Sequence, residues 1–289
     1  MKLKTGQIKH IIKYTIIASL LFSCEKEIEI DIPHHASKMV VEGWIEQEKG
    51  AHVLLSLSAP FFTPIDSNNL LDYSVTRAKV ELSANGTTEI LTLKPNDVYF
   101  PPYYYFGSDI LGKTNREYDL KITYYGYTFT ATTTIPSLTE PDSVWFEKNN
   151  ETDTLGLIHF RISDNPDEVN YYRTLTKRLG KDKRFIPTLT SVFSDLSFNG
   201  EQLELSLSKG SVNLLDADQN RYFEVDDTIV FKFCSIDKAH YEFWNTVQNQ
   251  AITSANPFAI SHEEIKSNIE NGFGIWGGYA ASYDTIIAR

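Results

Sequence analysis

Short apolar runs with a two-residue period, each broken by turn residues, recur along this chain of 289 residues and leave it few choices of fold. Val53, Leu55 and Leu57 alternate within residues 52–58, and Val80 and Leu82 alternate within residues 78–83. Successive side chains of a strand point to opposite faces, so this spacing describes strands with one buried face. Residues 37–46 carry Met39-Val40-Val41 and then Trp44, and Asn85-Gly86 turns the chain into a further strand over residues 88–93. Residues 118–125 and 127–135 flank Gly126 as a hairpin, which Pro136 ends because proline has no N–H to give to a ladder. Short strands at this spacing, with no helical pattern between them, predict an antiparallel β-sandwich over residues 36–137, Ig-like or transthyretin-like.

A second β-rich domain is expected over residues 138–289. Its strands are read at residues 142–148, 154–163 and 169–177, the last with Tyr171 and Tyr172 on opposite faces. Residues 195–204 hold an Asn199-Gly200 turn, residues 228–237 are the strongest strand by β-branched and aromatic content, and residues 274–288 return to strand. One short helix interrupts them. Asp237 is its cap, and Tyr241, Trp244, Val247 and Gln248 follow at helical spacing up to about Ala251.

Residues 1–23 read as an export signal: Lys2, Lys4, Lys9 and Lys13, then an apolar run over residues 14–22 that is too short to span a bilayer. Leu21-Phe22-Ser23-Cys24 resembles the lipobox of lipoprotein precursors, which makes Cys24 the expected lipidation site and the membrane the first partner. Two acyl chains give firm attachment, at about 0.8 kcal/mol per buried methylene. An acidic tether over residues 24–35 follows, beginning Glu25-Lys26-Glu27; it resembles a surface-export tag, which predicts an outer-membrane protein facing the exterior.

The chain holds 27 Lys and Arg against 38 Asp and Glu, and four of those lysines leave with the signal, so the mature protein is strongly acidic. That excludes nucleic acid as a partner, since binding phosphates needs an extended basic face. Cys234 is left as the second of two cysteines, in an apolar strand where it serves as a small buried side chain.

Several constellations in the chain invite a chemical reading. Gly272-Phe273-Gly274-Ile275-Trp276-Gly277 fits the dinucleotide glycine pattern, yet no βαβ unit surrounds it; the glycines are expected to serve backbone conformation near the last strand. His52, His159, His240 and His262 are scattered, so no metal site is expected. Asp164 with Asp167, and Asp216 with Asp218, present oxygen ligands without the glycine and distal glutamate of a calcium loop. No catalytic set and no cofactor are expected. The aromatic segments stand out instead. Tyr99-Phe100-Pro101-Pro102-Tyr103-Tyr104-Tyr105-Phe106 is expected as a loop or irregular edge, and Phe61-Phe62 between prolines as a second such element. Exposed, these rings would contact a sugar, a peptide or a membrane partner; otherwise they cap the open end of the sandwich core.

Lys38-Met39-Val40-Val41-Glu42-Gly43-Trp44-Ile45, Tyr118-Asp119-Leu120-Lys121-Ile122, Asn170-Tyr171-Tyr172-Arg173, Tyr241-Glu242-Phe243-Trp244 and Asn271-Gly272-Phe273-Gly274-Ile275-Trp276-Gly277-Gly278-Tyr279, in that order behind the lipobox, carry a resemblance. The chain resembles a family of uncharacterised outer-membrane lipoproteins of Bacteroidetes encoded beside SusC-like TonB-dependent transporters. The resemblance implies an accessory binding component of a nutrient uptake system, with such a transporter as partner. Two other readings stay open: a stand-alone module capturing glycan or peptide, and a hydrolase with a carboxylate site.

Overall fold

A computed structural model describes residues 37–59, 69–150, 154–198, 200–210, 221–254 and 264–289. Cys24, the signal and the tether lie outside the described residues, as do Phe61, Phe62, Asn199, His262 and the oxygen-rich stretch at 216–220. The strands in chain order are β1 (Met39–Glu46), β2 (His52–Leu57), β3 (Lys79–Ala84), β4 (Thr87–Ile90), β5 (Thr92–Pro95), β6 (Tyr103–Phe106), β7 (Arg116–Tyr124) and β8 (Tyr127–Ile135). There follow β9 (Ser143–Lys148), β10 (Leu155–Ser163), β11 (Tyr171–Arg178), β12 (Ile186–Ser194), β13 (Gln202–Leu207), β14 (Phe223–Glu224) and β15 (Thr228–Ile236), then helix α1 (Lys238–Ser254) and β16 (Phe273–Ile287). The molecule is mainly β, as the alternation predicts.

One eight-stranded sheet, ordered β12-β11-β15-β16-β1-β2-β6-β5, forms the centre. Its first face packs on two smaller sheets. Val41, Ile45, Val53, Leu55 and Trp276 meet Leu82, Leu120, Ile122 and Ile135 of the sheet β4-β3-β7-β8. The buried Trp276 indole donates to the Tyr118 carbonyl at 2.9 Å, so its polar atom is satisfied. Farther along the same face, Tyr172, Phe231 and Phe233 meet Phe160 and Ile162 of β10 and Leu207 of β13. Each side chain removed from water in this way contributes about 1.5–3 kcal/mol.

The sheets depart from the sequence expectations in several ways. The strand expected at 88–93 is two strands: the chain leaves the four-stranded sheet after Ile90, buries Leu91, and joins the central sheet as β5. The pairing is not all antiparallel, because β16 runs parallel to β1, with Val40 opposite Phe273 and Glu46 opposite Tyr279. The central sheet also crosses the boundary expected at 137/138, taking β1, β2, β5 and β6 from one side and β11, β12, β15 and β16 from the other, and residues 37–289 form one compact unit. The linking strand is β16, whose first half pairs with β1 and whose second half pairs with β15.

The second face of the central sheet carries α1. Asp237 caps the helix as expected, its Oδ1 accepting from the His240 N–H at 2.8 Å. Its Oδ2 accepts from the Thr133 hydroxyl at 2.5 Å and the Thr134 N–H at 3.1 Å, which ties the helix start to β8. The helix runs three residues beyond Ala251. Tyr241 and Trp244 face Leu175, Cys234, Ile236 and Tyr279.

Candidate functional site

Because the strand period is two, the residues between those of the core point to the helix side. On β1 these are Glu42, Trp44 and Glu46; on β11 Arg173 and Leu175; on β15 Lys232; on β16 Tyr279 and Tyr283. Helix α1 covers part of this face, and the uncovered part is the floor of a cavity of about 720 Å³. Its walls are Trp244, Val247 and Gln248 of α1, Arg184 and Phe185 with the start of β12, and Tyr99. The volume lies within the range of small-molecule sites, roughly 300–1,000 Å³.

An aromatic ladder forms one side. Trp44 and His52, opposite each other on β1 and β2, stack with centroids 5.1 Å apart and planes at 3°. Tyr104 stacks on the other side of His52 at 5.3 Å. Tyr99 tilts over Trp44 at 5.7 Å, and the Arg184 guanidinium lies 5.1 Å from the Tyr99 ring centre. Burial holds His52 below its ordinary pKa, so its ring is predominantly the neutral imidazole at neutral pH.

The other side is ionic. Glu46, almost fully buried, accepts from Lys232 at 2.7 Å, from Lys49 at 2.6 Å and from the Tyr283 hydroxyl. Burial alone would raise its carboxyl; the Lys232 charge and these hydrogen bonds outweigh it and hold the group below the usual carboxylate range. Burial likewise works against the Lys232 charge and is outweighed by its acidic surroundings, with Glu46 the effective partner at neutral pH, because burial pushes the Cys234 thiol up to about 12. Rings of Tyr279, Tyr283 and Phe185 lie 4.8–5.7 Å from the ammonium.

Arg173 is only 4% exposed and its guanidinium carbon lies 3.6 Å from the centre of the Trp244 ring. Its Nη1 donates to the Tyr279 hydroxyl, and its Nε has no partner. Among the described residues neither Arg173 nor Arg184 forms a salt bridge with a carboxylate; each holds its charge against a ring. Glu42 stands on the same floor. Dense surroundings raise its pKa while Arg173 and Arg184 oppose the rise, and the side chain remains accessible through the cavity.

The expected contact residues divide. Tyr99 and Tyr104 belong to the cavity and its ladder, and Phe106 packs edge-on against His52 at 5.0 Å. Phe100 and Tyr103 are exposed. Tyr105 is not available to a partner: it is 3% exposed, and its hydroxyl donates to the Val75 carbonyl and accepts from the Ala78 N–H. Residues 96–102 form the expected irregular loop, but Tyr103–Phe106 is a regular strand held between β2 and β5, and the period of two sends Tyr105 into the core and its neighbours outward.

The glycine pattern serves conformation. Gly274 has φ +112°, and a Cβ there would meet the Val41 carbonyl oxygen at 1.8 Å; a Cβ on Gly277 would lie 2.4 Å from the His240 ring. Asp164 is engaged by the Tyr172 hydroxyl and the Gly200 N–H. Among the described residues no three His, Cys, Asp or Glu side chains gather as a metal site, and no helix is long and apolar enough to cross a membrane.

Neither Arg173 nor Lys232 stands out as a site residue in the sequence, though Lys232, a charge between Phe231 and Phe233 in an apolar strand, is a readable signal, whereas Arg173 shares its strand with Thr174, Thr176 and Lys177. Burying an ion costs several kcal/mol unless the fold supplies a partner or a use, so each marks a special place.

Fold and site together define a mainly β protein with an aromatic and cationic cavity against one face of its central sheet. The chain belongs to the DUF4249 family, a domain of unknown function, whose family model matches residues 25–284. No curated protein matches the chain.

Proposed function

We propose that this protein is a lipid-anchored capture component of a TonB-dependent uptake system at the outer-membrane surface, and that the cavity on the central sheet holds its ligand. The observation that carries the capture reading is the cavity itself: stacked rings on one side, buried charges on the other. Planar rings offer flat apolar area at low conformational cost, and a few fixed polar groups set orientation. The lipobox at Cys24 and the resemblance to transporter-associated lipoproteins support the surface role. Tethering raises the effective concentration of ligand-loaded protein beside a membrane partner.

Binding is favoured over hydrolysis by the state of the carboxylates. A glycosidase places two carboxyl groups on opposite sides of the scissile bond. Among the described residues lining the cavity the carboxylates are Glu42 and Glu46, and Glu46 is fully engaged with Lys232, Lys49 and Tyr283.

Trp44 and Trp244 make the cavity its own reporter. Titration of the full chain in detergent with neutral glycans and short peptides is expected to change tryptophan emission, and Trp44→Ala is expected to weaken binding at least about tenfold, the value of one good stacking contact. A ligand bound equally by Trp44→Ala would place capture elsewhere. Cys24→Ala is expected to move the protein from the membrane to the soluble fraction, and unchanged fractionation would remove the anchor from the proposal. Recovery of a TonB-dependent transporter with the natively lipidated protein from solubilised outer membrane would support the partner; its repeated absence would leave a stand-alone module.

A further inference from the structure

The charge arrangement points to a ligand class, an inference that rests on the capture reading above. We infer that the cavity takes a ring-bearing ligand with a carboxylate, the carboxylate lying toward Arg173 and Arg184 and the ring against Trp44 and Tyr99.

Arg173 is the starting point. A guanidinium presents five donors, and this one, almost wholly buried, spends one on the neutral Tyr279 hydroxyl and leaves its Nε without a partner. Trp244 and Tyr279 support the cation through their rings, yet no carboxylate of the described residues closes a salt bridge on it. A second guanidinium, Arg184, half-buried at the cavity wall, lies over the Tyr99 ring. Fold stability alone does not call for a guanidinium kept desolvated at a cavity without a salt bridge, because a buried charge with no close counter-ion is destabilising. An incoming anion balances this charge from the cavity side, and Arg173 is already held by Trp244 and Tyr279, so little ordering entropy is lost there on binding.

The surroundings make the assignment narrower. Lys232 is not available to the ligand, since Glu46 already engages it. Glu42 lines the floor near enough for both arginines to act on its carboxyl, and any charge it carries opposes an incoming anion. A monoanionic carboxylate meets that charge with half the repulsion of a phosphate dianion. Trp44 and Tyr99 line the cavity with Arg184 beside Tyr99, so the ligand's acidic group and ring belong close together. An acidic sugar and an aromatic residue at a peptide C-terminus share that chemistry.

Titration calorimetry on the full-length protein in detergent tests it with matched probes: digalacturonate against galactobiose for the sugar source, and N-acetylphenylalanine against its amide for the peptide source. The acid of one pair is expected to bind at least about tenfold more tightly than its neutral partner, the ratio of one charge-assisted hydrogen bond. Whichever pair shows the preference names the source. Arg184→Gln, on the wall, is expected to abolish that preference with an unchanged unfolding midpoint, and Glu42→Gln is expected to widen it. Equal binding of acid and neutral probe, lost in Trp44→Ala, would overturn the acidic class and keep capture in the cavity. Acid binding untouched by Arg184→Gln and by Trp44→Ala would overturn both. Silence of both acids at millimolar concentration would overturn the class alone, with capture then decided by the neutral screen, and displacement of a bound acid by inorganic phosphate but not by acetate would overturn the choice of carboxylate.

Discussion

His240 shows how one side chain couples packing to pH. It is buried against Gly277 and Tyr279, with its Nδ1 3.3 Å from the Gly278 carbonyl oxygen, and burial, helped by the nearby Arg173 charge, holds its pKa well below the ordinary histidine value. An unfolded histidine takes up a proton near pH 6.5, so below that the unfolded chain binds more protons than the folded one. The stability linked to His240 is therefore fully present above about pH 6.5 and is lost as pH falls towards the folded pKa, by up to about 1.4 kcal/mol per pH unit. Urea unfolding at pH 7.5 and 5.5 is expected to show a smaller difference for His240→Gln than for wild type; identical differences would mean that His240 protonates freely in the fold. The Lys232 and Glu46 pair gives a second expectation. Lys232→Met removes one partner of a buried ion pair and is expected to cost about 3 kcal/mol in urea unfolding. The double change with Glu46→Leu should cost less than the sum of the singles, because the orphaned charge goes too.

Helix α1 has a pattern that was readable in advance, since Tyr241, Trp244 and Gln248 recur at its spacing and Asp237 stands where a cap should. Its partners were not readable. Asp237 also accepts from Thr133 and Thr134, about a hundred residues earlier, and Gln248 accepts from the Ser191 N–H at 2.8 Å. Asp237→Ala is therefore expected to cost about 2 kcal/mol, more than the roughly 1 kcal/mol of a cap alone, whereas Asp237→Asn keeps an acceptor and should lose less than half of that. An alanine variant as stable as wild type in thermal unfolding would show that the helix is held by its apolar face and not by its start. Strand β6 teaches the converse. Four consecutive aromatics predict a sticky surface by composition, but pairing with β2 and β5 gives them a period, and Tyr105 ends in the core.

At the scale of the molecule the long strand β16 decides the outcome. It pairs with β1 through its first half and with β15 through its second, so strands from before and after residue 137 share one sheet and one set of buried contacts. Unfolding either half exposes the edge of the other. Heating is accordingly expected to give a single transition in which far-ultraviolet dichroism and tryptophan emission change together. Two resolved transitions would show that residues 36–137 and 138–289 melt as separate units. The cavity depends on the same strand: Tyr279 and Tyr283 of β16 sit between Glu46 of β1 and Lys232 of β15, so the site exists only when both pairings have formed.

The alternation of Val53, Leu55 and Leu57, of Val80 and Leu82, and the caps and turns at Asp237 and Asn85-Gly86 were enough to determine a mainly β molecule with one helix, because periodicity and capping act between near neighbours in the chain. The acidic composition and the resemblance of Leu21-Phe22-Ser23-Cys24 to a lipobox are also read from the chain alone. The cavity is different. Trp44, Arg173, Lys232 and Tyr279 are far apart in sequence and each reads singly as the outward residue of a half-buried strand. Only the order of strands in the central sheet, set by which long-range pairing buries the most apolar surface with every backbone group satisfied, brings them to one face and places α1 over them.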